Sequence, residues 1–441
     1  IEGRGSGLRL DGKLGFGATA VTTGRGIEIT QGGGIYLLRT LKGKTTLDCR
    51  WELKALRSTD PVITVEPDQS GALEIAVFDT DDAYELPVLA ESLDQSSADS
   101  EDDFEVFKAG LMTTAAGSGA VFDSCAYGLW LGFQSFKGRE LASANKMSDQ
   151  NIYAFEQPFL TLPLTDASRA VDIICHTLSF MTPQGMVPAW FSQRQNLYEA
   201  VPPVYAFAVS RLIESGRIGS VPHEKLSALY KAMEKAIGWW IIKRAGDNGL
   251  VCYAYRHECG WPKEPIFNAG LPCAAPDLQT YIILAAEALS KIAAILGKTD
   301  LSAYWEDVYR RQLAVLTDTL WDGAGMSSVN GHTGASAPAE GMLSVLPLIL
   351  GRRPPESMRG PLAEKAKALV FEELPVLPAA LIIMGLKASK RDDDAKAAAA
   401  SLITSCVSGG VSDSRGRVTG AGTYYSPAAC AALLALGGSA I

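Results

Sequence analysis

The sequence has no Cys-x-x-Cys pair, no uninterrupted apolar run of the roughly 18 residues a membrane helix requires, and no excess of basic side chains. Each absence excludes a class. Without paired cysteines there is neither a zinc ribbon nor a thioredoxin-like centre. The eight cysteines, among them Cys175 in VDIICHTL and Cys430 in AACAALLAL, read as reduced small hydrophobes of a cytoplasmic protein. With 40 Lys and Arg against 49 Asp and Glu, the net charge is -9 and no basic stripe is left for a phosphate backbone. Neither nucleic acid nor a membrane is therefore expected as a partner, and a small molecule is. The four histidines form no His-x-x-x-His pair, and Gly32-Gly33-Gly34 is followed by no lysine-bearing helix. No metal, phosphate cradle or cofactor is predicted. The oligomeric state stays open.

What is present is a chain of 441 residues, 47% hydrophobic and 20% charged, enough for a large core and two or three domains. The opening Ile1-Glu2-Gly3-Arg4 reads as the remnant of a tag-removal site, and residues 1–7 are set aside. Residues 8–90 hold short β-branched runs bounded by Gly, Pro and Asp, such as GIEIT, GIYLL and DPVITVEP, which predict a small antiparallel β-rich domain. Residues 91–103 are acidic and Ser-rich with almost nothing to bury, as in a loose linker. From 104 to 441 apolar residues recur three and four apart, predicting about a dozen helices between 104 and 437. Asp166 and Pro276-Asp277 mark helix starts, and Gly185, Gly216, Gly246 and Gly297 mark stops. No 34- or 40-residue repeat supports a solenoid, so the helices are expected to close as an (α/α)6 toroid of hairpins. Long loops at 182–200, 245–275 and 322–337 then rise on one face.

The densest chemistry lies in Cys252–Phe267, CYAYRHECGWPKEPIF. Flat aromatics stack on the apolar face of a sugar ring while Arg, Glu and His bond its hydroxyls, so Tyr253, Tyr255, Arg256, His257, Glu258, Trp261 and Glu264 suit a sugar cleft. The plain alternative is an ordinary decorated loop. Trp190, behind the Gly185–Pro188 turn, and Gln195, ahead of Pro202-Pro203, are further binding candidates, although Gln195, Asn196, Tyr198 and Glu199 would equally serve as helix caps. His176, in an apolar helix, reads as core, His223 as surface, and His332 as part of a Gly-rich loop.

From about residue 140 the order of features resembles the six-hairpin (α/α)6-barrel glycosidases of glycoside hydrolase families 63 and 37, the group of processing α-glucosidase, mannosylglycerate hydrolase and trehalase. The resemblance rests on MSDQNIYAFEQPFLTLPLTDASRAVDIICHTLSFMTPQGMVPAW, YEAVPPVYAFAVSRLIE, HECGWPKEPIF, APDLQTYIILAAEALSKIAAILGKTDLSAYWEDVYRRQLAVLTDTLWDG and GMLSVLPLILGRRPPESM. It covers about two thirds of the chain and implies a mainly α (α/α)6 toroid with a β-rich appendage. In that group an Asp directly after Gly-Trp is the general acid, whereas here Pro262 follows Gly260-Trp261. The group's general base, a Glu near the C-terminus, has Asp413 as its nearest counterpart in SGGVSDSRGRVTGAGTYYSPAAC. The resemblance thus implies displaced carboxylates: Glu258, Glu264 or Asp149 as the acid, Asp413 or Glu340 as the base, with Tyr424 among the binding residues.

Three readings follow. The first is hydrolysis of a small α-linked glycoside, with Glu258 or Glu264 protonating the leaving group and Asp413 activating water. The second is a repurposed barrel acting as lyase, isomerase or cyclase on a less polar metabolite, with His257 and Glu258 as acid and base and Tyr253, Tyr255, Trp190 and Trp261 walling the pocket. The third is a carbohydrate-binding protein without catalysis. A pocket lined by carboxylates favours the first, and a closed apolar one the second.

Overall fold

The computed structural model describes residues 2–4, 7–15, 17–31, 34–54, 56–80, 93–112, 120–143, 151–192, 196–409 and 426–437. It divides into two compact units, residues 1–106 and 107–441.

The first unit carries the strands. A five-stranded antiparallel sheet runs in the order Glu2–Arg4, Ala72–Thr80, Gly34–Lys42, Gly26–Gln31, Thr19–Thr23, and a three-stranded one in the order Leu8–Asp11, Val62–Glu66, Lys44–Asp48. Alternation sends Ile27, Leu38, Ile63, Val65, Leu73 and Ile75 into one core. The acidic segment expected as a loose linker is instead helical over Leu93–Ala109. Its residues 94–103 are exposed, as their composition requires. The order comes from local terms: Asp94 in the first turn and Lys108 in the last both suit the helix dipole.

The second unit is the (α/α)6 toroid. Its centre is the Pro276–Ile295 helix, packed against the helices Tyr205–Glu214, His223–Lys243 and Thr299–Ala314 and the 3-10 segment Met342–Leu350. This helix is long and apolar enough to cross a membrane by length and composition, and 78% of its apolar window is buried within the fold. Further on, Val376–Ala388 packs on Met342–Leu350, Asp392–Gly409 and Pro427–Gly437. The last helix, Pro427–Gly437, then meets the first helix of the ring, Ala120–Gly132, and closes the circle. At that seam Gly132 lies under Pro427, where any Cβ would overlap the proline ring.

Local differences from the sequence reading have local causes. The helix Ala120–Gly132 gives way at Gly132 to a hairpin, in which Phe133–Phe136 pairs with Arg139–Ala142 and turns on Lys137 and Gly138, both at positive φ. Ahead of the helix capped by Asp166 stands a single helical turn, Gln157–Leu160. Residues 342–350 form a 3-10 helix rather than an α-helix, with Pro347 inside it removing a backbone donor. Two small sheets stand among the helices: Ile152–Tyr153, Pro188–Phe191 and Asn196–Ala200 in one, Cys273–Ala274, Ser327–Asn330 and Ser336–Pro338 in the other.

Candidate active site

The second unit holds a cavity of about 660 Å³. One wall is the small sheet and the segment after its first strand, which supply Tyr153, Phe155, Glu156, Trp190 and Glu199. A second part of the lining is the loop that sequence singles out, with His257, Glu258, Trp261, Pro262, Lys263 and Glu264. Met342 and Glu373 complete it. The walls meet where the Phe155 ring stands edge-on to Trp261, centroids 5.0 Å apart.

The loop is pinned at its base. Tyr253 exchanges backbone hydrogen bonds with Cys273, 2.8 and 2.9 Å, and its phenol donates to Asp277 Oδ2 at 2.7 Å. A 3-10 turn over Arg256–Cys259 then reverses the chain, with Gly260 at φ 86° releasing it. This reversal sorts the side chains. Tyr253 points inward and is fully buried, Glu258 folds back under the turn, and Tyr255 is 61% exposed. Arg256 is exposed and lies over the Phe267 ring, 5.3 Å from its centroid. Tyr253, Tyr255 and Arg256, expected to wall the pocket, therefore do not line it. His257, Glu258, Glu264, Trp190 and Trp261 do. Asp149, Gln195, Asp413 and Tyr424 lie outside the described residues. Glu340 is exposed and is not among the cavity-lining residues.

The two loop carboxylates differ in kind. Glu258 has a fully buried side chain paired with Arg244, and its other oxygen accepts the N–H groups of Ala254 at 2.7 Å and Tyr255 at 3.2 Å. Burial pushes its carboxyl above the ordinary range, with Arg244 and the two amides pulling the other way. Both oxygens are engaged in holding the turn. Glu264 is only half-buried, and the hydrogen bond it accepts from the Leu343 N–H is a long one, 3.5 Å. Burial raises its carboxyl as well, and backbone amides of Leu343 and Met342 offset that only in part. A carboxyl that faces the cavity, with a raised proton affinity and little committed to structure, suits proton donation.

Glu264 also depends on its neighbour Gly341, which sits at φ 79° against it. A Cβ there would overlap Glu264 Oε2 and crowd Pro265. Gly341→Ala is expected to destabilise the protein by about 1–2 kcal/mol and to cut turnover at least tenfold by displacing Glu264. Urea unfolding and turnover measured on the same preparation check both numbers. Turnover at the wild-type level would show that the position of Glu264 is immaterial.

Sequence reasoning missed Glu156, Glu373 and Asp277 as members of this region. Glu156 is 4% exposed, and its signal was an acid set between aromatics in YAFEQPF. In the sequence Asp277 marks only a helix start, and Glu373 in FEELP carries no signal. Among the described residues, no group of three or more His, Cys, Asp and Glu side chains is arranged to hold a metal ion.

Residues 159–368 match the family model described as mannosylglycerate hydrolase MGH1-like glycoside hydrolase domain. No curated protein matches. Among solved structures, the chain is similar to the family 63 mannosylglycerate hydrolase from Thermus thermophilus in complex with glucose, at 15% identity and a TM-score of 0.59 over 72% of this chain and 99% of that one. It is similar also to a bacterial glucoamylase complexed with acarbose, at 10% identity and TM-score 0.61 over 98% and 76%. A rhamnosidase from Klebsiella oxytoca with rhamnose bound shares the fold at 11% identity and TM-score 0.53 over 98% and 96%. Residues 159–368 thus resemble the mannosylglycerate hydrolase MGH1-like glycoside hydrolase domain, and the second unit shares the (α/α)6 fold of these solved glycosidases.

Proposed function

We propose that the protein hydrolyses a small α-linked glycoside by carboxylate acid–base catalysis without a cofactor, with Glu264 protonating the departing glycosidic oxygen. The observation that carries this reading is the lining of the cavity: five carboxylates, Glu156, Glu199, Glu258, Glu264 and Glu373, beside the rings of Tyr153, Phe155, Trp190 and Trp261. Its volume lies within the range of about 300–1,000 Å³ usual for small-molecule sites. A cyclase or isomerase of apolar metabolites would need a drier wall, so the carboxylates favour hydrolysis over that alternative. Glu199 lines the same cavity as Glu264, and its charge acts on Glu258. We assign it water activation, with Asp413 as the second candidate. The related structures that hold glucose, or Tris and D-glycerate, support a substrate of monosaccharide to disaccharide size.

The test is a screen of the purified protein against α-linked disaccharides, mannosylglycerate, glucosylglycerate and aryl glycosides, read by released sugar. Release from at least one, diminished in Glu199→Gln or Asp413→Asn, is the expected outcome. Silence from the folded protein across the panel would overturn the reading.

A further inference from the structure

Next to the loop Cys252–Phe267 lies a buried polar group that the proposed chemistry does not use. Asp277 is 1% exposed at the start of the Pro276–Ile295 helix, and its Oδ1 has no hydrogen-bond partner among the described residues. Tyr281, four residues on, is equally buried, and its hydroxyl is also unpartnered among them. Residues four apart share one face of a helix, and helical side chains lean toward its N-terminus, so the long Tyr281 side chain extends over the turn that carries Asp277. The two unmet groups are thus neighbours. The loop reaches the same place: Tyr253 donates to Asp277 Oδ2 at 2.7 Å. Asp277 and Cys259 both bear electrostatically on Tyr281, and all three bear on Tyr253. Neither loop residue can serve the unmet atoms. The Tyr253 phenol is committed to Oδ2, and the Cys259 thiol donates to the Arg256 carbonyl at 3.1 Å.

We propose that one buried water molecule binds between Asp277 Oδ1 and the Tyr281 hydroxyl, and that the carboxyl group so held at both oxygens is the fixed point from which Tyr253 holds the cavity loop. Buried polar groups in folded proteins are hydrogen-bonded, and ordered water serves those that the chain itself leaves unmet. Donors and acceptors balance here. Tyr281 donates its O–H to the water, and the water donates one hydrogen to Oδ1. One carboxyl oxygen and one phenol are too few ligands for a metal ion, whereas a water needs only about two to four polar partners. The consequence is mechanical. A carboxyl group held at one oxygen can still turn about its Cβ–Cγ bond, and held at both it cannot. Tyr253 in turn exchanges backbone hydrogen bonds with Cys273, and the next two residues, Ala254 and Tyr255, donate their amides to Glu258. The core helix thereby fixes the turn that leads to Trp261 and Glu264. This inference does not rest on the hydrolase reading.

A crystal structure of the full chain, at a resolution that shows ordered solvent, reads the first half directly. The expected result is a solvent peak about 2.5–3.0 Å from both Asp277 Oδ1 and the Tyr281 hydroxyl, absent from Tyr281→Phe. No peak there, a peak touching only one of the two, or a Tyr281 hydroxyl bonded straight to Oδ1 overturns the water site. The wild-type crystal needs no variant, so this test stands even where one fails to fold. Site-resolved amide hydrogen exchange reads the second half. Tyr253→Phe and Tyr281→Phe should each speed exchange of the Tyr253 and Cys273 amides by about tenfold, while amides in the second half of the Pro276–Ile295 helix keep their wild-type rates. Both sets speeding together would mean a general loss of stability and overturn the anchoring role. A Tyr253 amide that Tyr281→Phe leaves unmoved overturns it as well. The water and the local exchange changes, together with silence in the hydrolysis screen, would uphold the anchor and sink only the hydrolase reading.

Discussion

Glu264→Gln is expected to lower glycoside hydrolysis by about 10²–10⁴-fold while leaving the fold intact, because it removes the transferable proton and little else. The amide occupies nearly the same volume and keeps an oxygen that can accept the Leu343 N–H. Glu264 is half-buried and sits in no salt bridge among the described residues, so its replacement costs no ion pair. The loss should therefore appear in kcat, with KM and the urea midpoint close to wild type. Two controls sharpen it. An aryl glycoside with a good leaving group needs less help from an acid and should be hydrolysed with a much smaller deficit. Glu258→Gln, the other carboxylate of the loop, should do the opposite and unsettle the turn, since Glu258 holds Arg244 and two backbone amides. If Glu264→Gln keeps full turnover on a poor leaving group, the acid lies elsewhere.

That contrast between the two glutamates shows what the sequence could and could not tell. The helices were legible because their signals are local. Asp166 caps its helix as expected, its carboxylate accepting from the N–H groups of Ser168 at 2.8 Å and Arg169 at 3.1 Å. The run ahead of Gly297 becomes the buried Pro276–Ile295 helix for the same reason. The loop Cys252–Phe267 was legible as a place, because aromatic and charged residues crowd together where no helix can form. Roles within it were not, because they depend on partners distant in sequence. Nothing in HECGW says that Glu258 will meet Arg244, 14 residues back, or that Glu264 will rest against Gly341. Nor does Tyr253 announce that it turns inward to Asp277 while Tyr255, two residues on, faces solvent. The short strands Pro188–Phe191 and Asn196–Ala200 were missed because four or five residues among helices carry no usable period, yet they bring Trp190 and Glu199 to the cavity.

Arg244→Met is expected to cost about 3–5 kcal/mol of stability at neutral pH, the scale for removing one member of a buried ion pair. The methionine replaces much of the aliphatic stem, so packing accounts for little of the loss. What remains is a carboxylate with no exposed side-chain surface and no cation. Arg244 also lies over the Trp239 ring, 4.8 Å from its centroid, a smaller contribution of about 0.5–1 kcal/mol. The sign with pH follows from Glu258. Its folded-state carboxyl is already raised by burial, and removal of Arg244 takes away the largest influence holding it down. The folded variant then binds a proton that the unfolded chain has released, so its stability should fall as pH rises above the ordinary carboxylate range and recover below it. Urea unfolding of wild type and variant from acid to neutral pH checks this: the gap should narrow steadily toward acid. Arg244→Met combined with Glu258→Gln should recover part of the loss at neutral pH, since no buried charge is then left alone. A gap that does not change with pH would mean that Arg244 holds the loop through its stem and its tryptophan contact, and that the Glu258 charge is not what it serves.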